Sequence, residues 1–115
     1  MHEMGVAQQM ADIALAAIPG DVKNPRVVRL NLRIGKLAAV VKDSLTFCFE
    51  IIAKDTPLEG AALVIEDVPV RLRCRECRHE WEVDGPVFRC PGCQDSAVDL
   101  VSGRELEITS LELAE

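Results

Sequence analysis

The feature that most constrains this chain of 115 residues is a pair of C-x2-C motifs with twelve residues between them. The four cysteines are Cys74, Cys77, Cys90 and Cys93. Two residues between cysteines let one tight turn present both sulfurs to the same ion, and two such turns complete a tetrahedron with metal–sulfur distances of about 2.3 Å. The spacing therefore predicts a zinc ribbon, whose four thiolates fill the coordination sphere and make the zinc structural.

Other chemistry fits the same four cysteines. Two disulfides, a reactive dithiol and an iron site of the rubredoxin type all use C-x2-C pairs. A fifth cysteine, Cys48, makes the count odd, and the N-terminus lacks the basic and apolar regions of a secretory leader. Both observations favour reduced thiols in the cytoplasm, with Cys48 as a small core residue. His79 lies close enough to Cys77 to exchange with a thiolate, but the closed thiolate set favours a solvated side chain.

Charge and composition argue against two classes of partner. The formal net charge is −6, and the basic residues near the cysteines are Arg71, Arg73, Arg75, Arg78 and Arg89. Nucleic-acid binders usually carry a basic excess and rings for base stacking, and this chain has only three Phe and one Trp. No uncharged stretch approaches the roughly 20 apolar residues of a membrane span. We therefore expect neither a nucleic-acid nor a membrane partner.

Two segments outside the ribbon have helical periodicity. The first ends at Pro19–Gly20, and the second begins near Asp43 or Ser44, either of which can cap it. The predicted inward-facing residues are Val6, Met10, Ile13, Ala14 and Ala17 in the first helix and Leu45, Cys48, Phe49 and Ile52 in the second.

Three further segments alternate as strands do. The first ends at Gly35, the second covers 61–72 with Pro69 weakening it or placing it at an edge, and the third has a bulge predicted near Ser110. The predicted inward positions are Val28, Leu30, Leu32 and Ile34, then Val64, Val68, Val70 and Leu72, then Leu106 and Ile108, with opposite parity at Leu111 and Leu113. Within the ribbon, Trp81 and Val83 should pair with Val87 and Phe88 across a turn at 84–86.

The order of these elements predicts an α+β fold, a small sheet with two helices and an inserted four-cysteine zinc ribbon. We expect an α/β domain over 1–70, the ribbon over 71–103, and a final strand over 104–115. That strand should return to the first domain, because about 12 residues cannot build a core alone.

The first three residues form a second candidate metal site. The Met1 amine, the His2 amide nitrogen and the His2 imidazole can chelate one ion through small fused rings. The Glu3 amide can supply a fourth nitrogen, and its carboxylate an outer or axial oxygen. Square-planar nitrogen ligation suits Ni(II) or Cu(II), whereas a histidine at position 2 taken alone is more often a solvated terminus.

The two motifs, at opposite ends of a chain of this length, together resemble the HypA family of nickel metallochaperones in hydrogenase maturation. Similar stretches at 34–36, 44–50 and 111–113 extend the resemblance over essentially the whole chain. The resemblance implies that nickel binds at Met1, His2 and Glu3 and that a structural zinc binds at the four paired cysteines.

The resemblance also implies partners. Nickel would pass toward the hydrogenase large subunit with the help of the GTPase HypB, and some relatives also serve urease maturation. Certain members carry a histidine just after both cysteine pairs. Here His79 follows the first pair and Gln94 the second, so a ligand exchange that uses two histidines is not expected.

Two other functions fit the residues. One is a zinc-ribbon adaptor that binds a protein or nucleic acid and carries no labile metal, and the other is an electron carrier with iron on the four thiolates. Catalysis has little support, because the sequence has no Gly-rich phosphate loop and no cysteine–histidine pair outside the ribbon. We expect a cytoplasmic nickel carrier that is not an enzyme.

Overall fold

The computed structural model describes residues 2–83 and 88–114. Helix α1 spans Glu3–Ala17, helix α2 spans Lys42–Ala53, and a single 3-10 turn spans Lys36–Ala38. The strands in chain order are β1 (Val27–Gly35), β2 (Ala62–Val68), β3 (Val70–Cys74), β4 (Glu80–Val83), β5 (Val98–Ser102) and β6 (Leu106–Leu113). Two helices with two small sheets confirm the predicted α+β class. No helix in the described ranges is long and apolar enough to cross a membrane.

The first sheet has the strand order β2-β1-β6. β2 runs parallel to β1, because α2 forms the crossover between them. β6 runs antiparallel to β1, and its register shifts between the pairs Asn31–Ser110 and Leu32–Ile108. Thr109 is therefore an extra residue in β6. It is the bulge predicted near Ser110, and it keeps both halves of the strand facing the core.

Both helices pack against one face of this sheet. The buried residues are Val6, Ala7, Met10, Ala11 and Ala14 on α1, Leu45, Phe49 and Ala53 on α2, Val27, Leu30, Leu32 and Ile34 on β1, and Leu58 in a loop. The prediction for α2 is confirmed, with Cys48 and Ile52 partly buried against the same core. The prediction for α1 is wrong at Ile13 and Ala17, which are exposed because the buried stripe also runs through Ala7 and Ala11.

Two strand positions also face away from the core. Val28 is exposed and Val27 is buried in its place, because the register against β6 is irregular at this end of β1. In β2 the core-facing residues are Leu63 and Ile65, so the predicted inward residue Val64 lies on the solvent face.

The strand predicted over 61–72 is two strands in two sheets. β2 ends at Val68 and β3 begins at Val70, with Pro69 between them. Proline has no N–H to donate to a ladder, so a continuous central strand cannot pass through it. The break at Pro69 carries the chain from the first sheet to the second.

The second sheet has the order β4-β3-β5, and both outer strands are antiparallel to β3. Trp81 lies on β4 opposite Leu72 of β3. Phe88 lies in no strand, and the predicted turn at 84–86 and Val87 lie outside the described residues. β4 pairs with β3. Cys74 is the last residue of β3, and Cys77 lies in the connection between these two strands.

Candidate metal centre

The two cysteine pairs adopt the same local turn. The backbone N–H of Arg78 donates to the carbonyl of Cys74, and the N–H of Gln94 donates to the carbonyl of Cys90, both over 2.9 Å. Arg78 and Gln94 have positive φ angles of 63° and 65°. Each residue after the second cysteine of a pair therefore turns the chain into the left-handed region, which closes the turn around the two sulfurs.

A second repeated bond completes each turn. The N–H of Cys74 donates to the carbonyl of His79, and the N–H of Cys90 donates to the carbonyl of Asp95, again over 2.9 Å. Asp95, two residues after Cys93, is thus the counterpart of His79. The His79 ring stacks on Trp81 with centroids 5.8 Å apart, and His79 is not in the cluster of metal-ligating side chains found among the described residues.

The four sulfur atoms lie close together. The Sγ atoms of Cys74 and Cys93 are 3.4 Å apart, those of Cys77 and Cys90 are 3.5 Å apart, and all four lie within 4.8 Å of one another. Four sulfurs held tetrahedrally at about 2.3 Å from one ion are about 3.8 Å apart. All the cysteines are free thiols, so the structure does not contain the two disulfides considered above. The donor set and its spacing fit a tetrahedral zinc or iron ion.

Hydrogen bonds in the second turn set the acidity of its thiols. The backbone N–H of Cys93, together with that of Gly92, lowers the pKa of Cys90 to about 7. The backbone N–H of Asp95 likewise acts to lower the pKa of Cys93. Hydrogen bonds with the neighbouring thiols, that of Cys74 first, and the loss of water outweigh this effect, so the pKa of Cys93 is raised to about 12. A bound cation favours the thiolate at every one of these positions.

Most of the arginines near the cluster are paired with acids. Three arginines of β3 and of the first turn point toward carboxylates of the flanking strands. The pairs are Arg71–Glu82 at 3.4 Å, Arg73–Glu80 at 3.8 Å and Arg75–Asp99 at 2.8 Å. These exposed pairs contribute little stability, but they neutralise much of the positive charge that a nucleic-acid surface needs.

The N-terminal candidate ligands lie at the start of α1. His2 is exposed at the N-cap position, where its carbonyl accepts from the N–H of Val6 over 3.1 Å. Glu3 is the first helical residue. Its N–H is one of the first four of the helix, which have no intrahelical acceptor, so ligation through this nitrogen breaks no helical hydrogen bond. Met1 lies outside the described residues.

The Glu3 carboxylate has a partner that sequence analysis missed. Its Oε2 accepts from the backbone N–H of Val41 over 3.3 Å. Val41 occupies the N-cap position of α2, which begins at Lys42 without a cap from its own side chains. The predicted caps Asp43 and Ser44 lie inside the helix instead. Nothing in the spacing of the sequence links positions 3 and 41, so only the packing of α1 beside α2 reveals this contact.

No third side chain of a metal-ligating type clusters with His2 and Glu3 within residues 2–83 and 88–114. An ion at this end of the chain would therefore depend on the His2 imidazole and on backbone nitrogens. That donor set differs from the four sulfurs of the cysteine cluster, and it suits a different class of metal ion.

Comparison with known proteins gives one consistent result. A family model described as hydrogenase/urease nickel incorporation metallochaperone, HypA, matches residues 1–113. The hydrogenase maturation factor HypA of Desulfosudis oleivorans is 57% identical over the full length of both chains. That of Streptomyces avermitilis is 51% identical over 96% of this chain and 86% of its own.

Solved structures agree on the fold. The solution structure of the Ni metallochaperone HypA from Helicobacter pylori matches 98% of this chain and 97% of its own length, with a TM-score of 0.69 at 24% identity. The sequence comparisons and the fold agree, and this chain belongs to the HypA family of nickel metallochaperones for hydrogenase and urease.

Proposed function

We propose that this protein carries Ni(II) at its N-terminus and delivers it for the maturation of [NiFe]-hydrogenase, while a structural zinc holds the cysteine ribbon. One observation carries the proposal. In a chain of this family, the exposed His2 and the half-buried Glu3 lie at the start of α1, apart from the closed set of four thiols. The two donor sets favour different ions, so nickel and zinc need not compete for one site.

The nickel site would use four nitrogens. The proposed ligands are the Met1 amine, the His2 amide and imidazole, and the Glu3 amide, with the Glu3 carboxylate as an outer oxygen. The free N–H of Glu3 at the helix start supports this set, because its nitrogen is available without loss of a helical bond. An exposed terminal site also suits a carrier, which must release its ion to the next protein.

The zinc would be held by Cys74, Cys77, Cys90 and Cys93. The closeness of the four sulfurs supports this assignment, and four thiolates leave no open coordination position for catalysis. Zinc binding would supply folding energy to the small second sheet, which buries few side chains of its own. Thiols free of disulfides fit a reducing compartment, and we place the protein in the cytoplasm.

The proposed partners are those that membership of the family implies. They are the GTPase HypB, the hydrogenase large subunit and urease maturation proteins. The protein itself would act by binding and release, not as an enzyme. We keep the division into a nickel-binding domain over 1–70, a zinc ribbon over 71–103 and a returning strand over 104–115 as part of this proposal. The pairing of β6 with β1 supports the return of the last strand.

The chain offers a matched pair of variants to test the nickel site, because it contains only two histidines, His2 and His79. We expect His2→Ala to abolish tight nickel binding in a calorimetric titration of the untagged protein. We expect His79→Ala to leave the nickel affinity unchanged, and both variants to keep their zinc. Nickel binding that survives His2→Ala but is lost in His79→Ala would overturn the proposal.

A further inference from the structure

The two sheets meet at a contact between two glycines. Gly35 is the last residue of β1, and Gly103 directly follows β5. A Cβ atom on Gly35 would overlap the backbone carbonyl of Gly103, so no side chain fits at position 35. Gly103 is buried and has a φ of +125°, which side chains rarely permit. We call this contact of Gly35 with Gly103 the glycine joint.

Hydrogen bonds fix the glycine joint on both sides. The carbonyl of Gly103 accepts from the N–H of Leu37 over 2.8 Å, and the N–H of Gly103 donates to Oε1 of Glu105 over 2.8 Å. The N–H of Gly35 donates to the carbonyl of Glu105 over 2.7 Å. Two of these bonds join the end of β1 and the turn after it to the chain leaving β5, and the third, from Gly103 to Glu105, holds that chain in its own conformation.

The chain also passes between the sheets at Pro69, from β2 to β3, and this connection is hydrogen-bonded to the returning chain. The hydroxyl of Ser102 donates to the carbonyl of Pro69 over 2.8 Å. A Cβ on Gly103 would also lie 3.1 Å from the Cα of Val70, so the backbone of the returning chain passes close to the outgoing one. The outgoing connection at Pro69 and the returning connection at Gly103 therefore lie in contact with each other.

One short segment links the glycine joint to the start of α1. After Gly35 the chain makes the 3-10 turn, whose Leu37 is bonded to Gly103. Ala39 then adopts the left-handed conformation with φ 55°, and the N–H of Val41 donates to the Glu3 carboxylate. The segment 36–41 is therefore anchored to the glycine joint at one end and to Glu3 at the other.

We propose that the glycine joint is a positioning element for the N-terminal nickel site. It holds the segment 36–41, and this segment holds Glu3 and the neighbouring His2 in the geometry that binds the ion. The inference rests on the proposed function, since it concerns the same nickel ligands. None of the residues of the glycine joint touches nickel, and each acts through the backbone of 36–41.

A pair of glycine substitutions tests the positioning role. Gly103→Ala strains the glycine joint, where the new Cβ would also lie 3.1 Å from the Cα of Val70. Gly60→Ala is the control: it also places a side chain at a positive φ, +80°, but in the loop between α2 and β2, at the other end of β1. Both variants should lose stability and keep one zinc. Groups that hydrogen-bond to metal ligands typically change metal affinity by about 10–100-fold when they are replaced. Because Gly103 acts through the segment 36–41, we expect the lower end of that range, about tenfold, for nickel in Gly103→Ala alone. Equal nickel affinities in the two folded variants would overturn the proposal.

Glu105 provides a second test that does not strain the backbone. Glu105→Ala removes the acceptor of the Gly103 N–H, whereas Glu105→Gln keeps an oxygen in the same place. We expect weakened nickel binding in Glu105→Ala and rescue in Glu105→Gln, measured at a temperature where both are folded. A change in melting temperature without any change in nickel affinity in Glu105→Ala would show that the joint is only structural.

The outcome for His2 separates the two proposals. In one outcome, His2→Ala loses nickel, whereas Gly103→Ala and Glu105→Ala bind it with the wild-type affinity. The positioning role is then wrong, and the N-terminal nickel site is supported. If His2→Ala binds nickel as wild type does, the N-terminal site itself is wrong, and the positioning role is wrong with it.

Discussion

The carboxylate of Glu3 accepts a hydrogen bond from the backbone N–H of Val41, with an oxygen–nitrogen distance of 3.3 Å. Within a single helix, a glutamate in the first turn can bond the N–H of the N-cap residue in the same way, which is one half of a capping box. Here the glutamate comes from the first turn of another helix. The bond joins the start of α1 to the start of α2. It therefore ties the position of the Glu3 side chain, next to His2, to the segment that precedes α2.

Replacement of Glu3 should affect both stability and nickel. We expect Glu3→Ala to lower the free energy of unfolding by about 1 kcal/mol, the usual contribution of one hydrogen bond, and to weaken nickel binding. Glu3→Gln keeps an acceptor oxygen and should restore most of the stability. Thermal unfolding of the zinc-loaded protein measures the first effect and a nickel titration the second. Wild-type values for Glu3→Ala in both would show that the bond to Val41 has no role.

Acetylation of the Met1 amine should impair nickel binding. The acetyl group converts the amine into an amide and, unlike an added residue, supplies no new terminal amine, so the proposed chelate loses its amine donor. The same protein with a free N-terminus is the matched control. Both forms are compared by nickel titration of the zinc-loaded protein. A nickel affinity that is unchanged by acetylation would show that the amine is not a ligand.

Removal of zinc should unfold the second sheet and leave the first. The stack of His79 on Trp81 lies beside the first cysteine turn, so the near-ultraviolet circular dichroism of Trp81 reports on this region. We expect a chelator to abolish that signal while the helical signal of α1 and α2 persists, because their core lies on the first sheet. An unchanged Trp81 signal in protein shown to be free of zinc would contradict a structural role for the metal.

Zinc affinity should fall as the pH falls. The Cys93 thiol, whose pKa is about 12 without metal, must release a proton for zinc to bind at any pH below that. Each proton released changes the affinity about tenfold per pH unit. Below pH 7 the Cys90 thiol is protonated too, so the slope should steepen there. Competition with a chromophoric chelator between pH 6 and pH 8.5 measures this slope, and a flat profile would argue against thiolate ligands.

Much of the fold could be predicted from local sequence patterns. Alternation along β1 predicted a half-buried strand, and the change of parity between Ile108 and Leu111 predicted the bulge, because each side chain of such a strand lies on one face or the other. That β1 is the central strand is known only from the structure. The C-x2-C spacing likewise predicted the clustering of the four sulfurs, since a tight turn of this length presents both cysteines of a pair to one ion.

The sequence-based predictions are wrong or incomplete at positions where tertiary packing decides which side chain is buried. Ile13 and Val64 are apolar residues at plausible positions, but the neighbouring Ala11 and Ile65 face the core instead. The bond from Val41 to Glu3 and the close approach of Gly35 to Gly103 join positions far apart in the chain. A single sequence contains no local signal for such contacts.

The decisive test of nickel carriage at the N-terminus is metal analysis of the untagged protein after nickel addition and desalting, with His2→Ala prepared in parallel. We expect one zinc per chain in both proteins and nickel in the wild type alone. One zinc and no nickel in either protein would contradict the carrier function and leave a zinc-ribbon adaptor. Nickel in both proteins would contradict the N-terminal site.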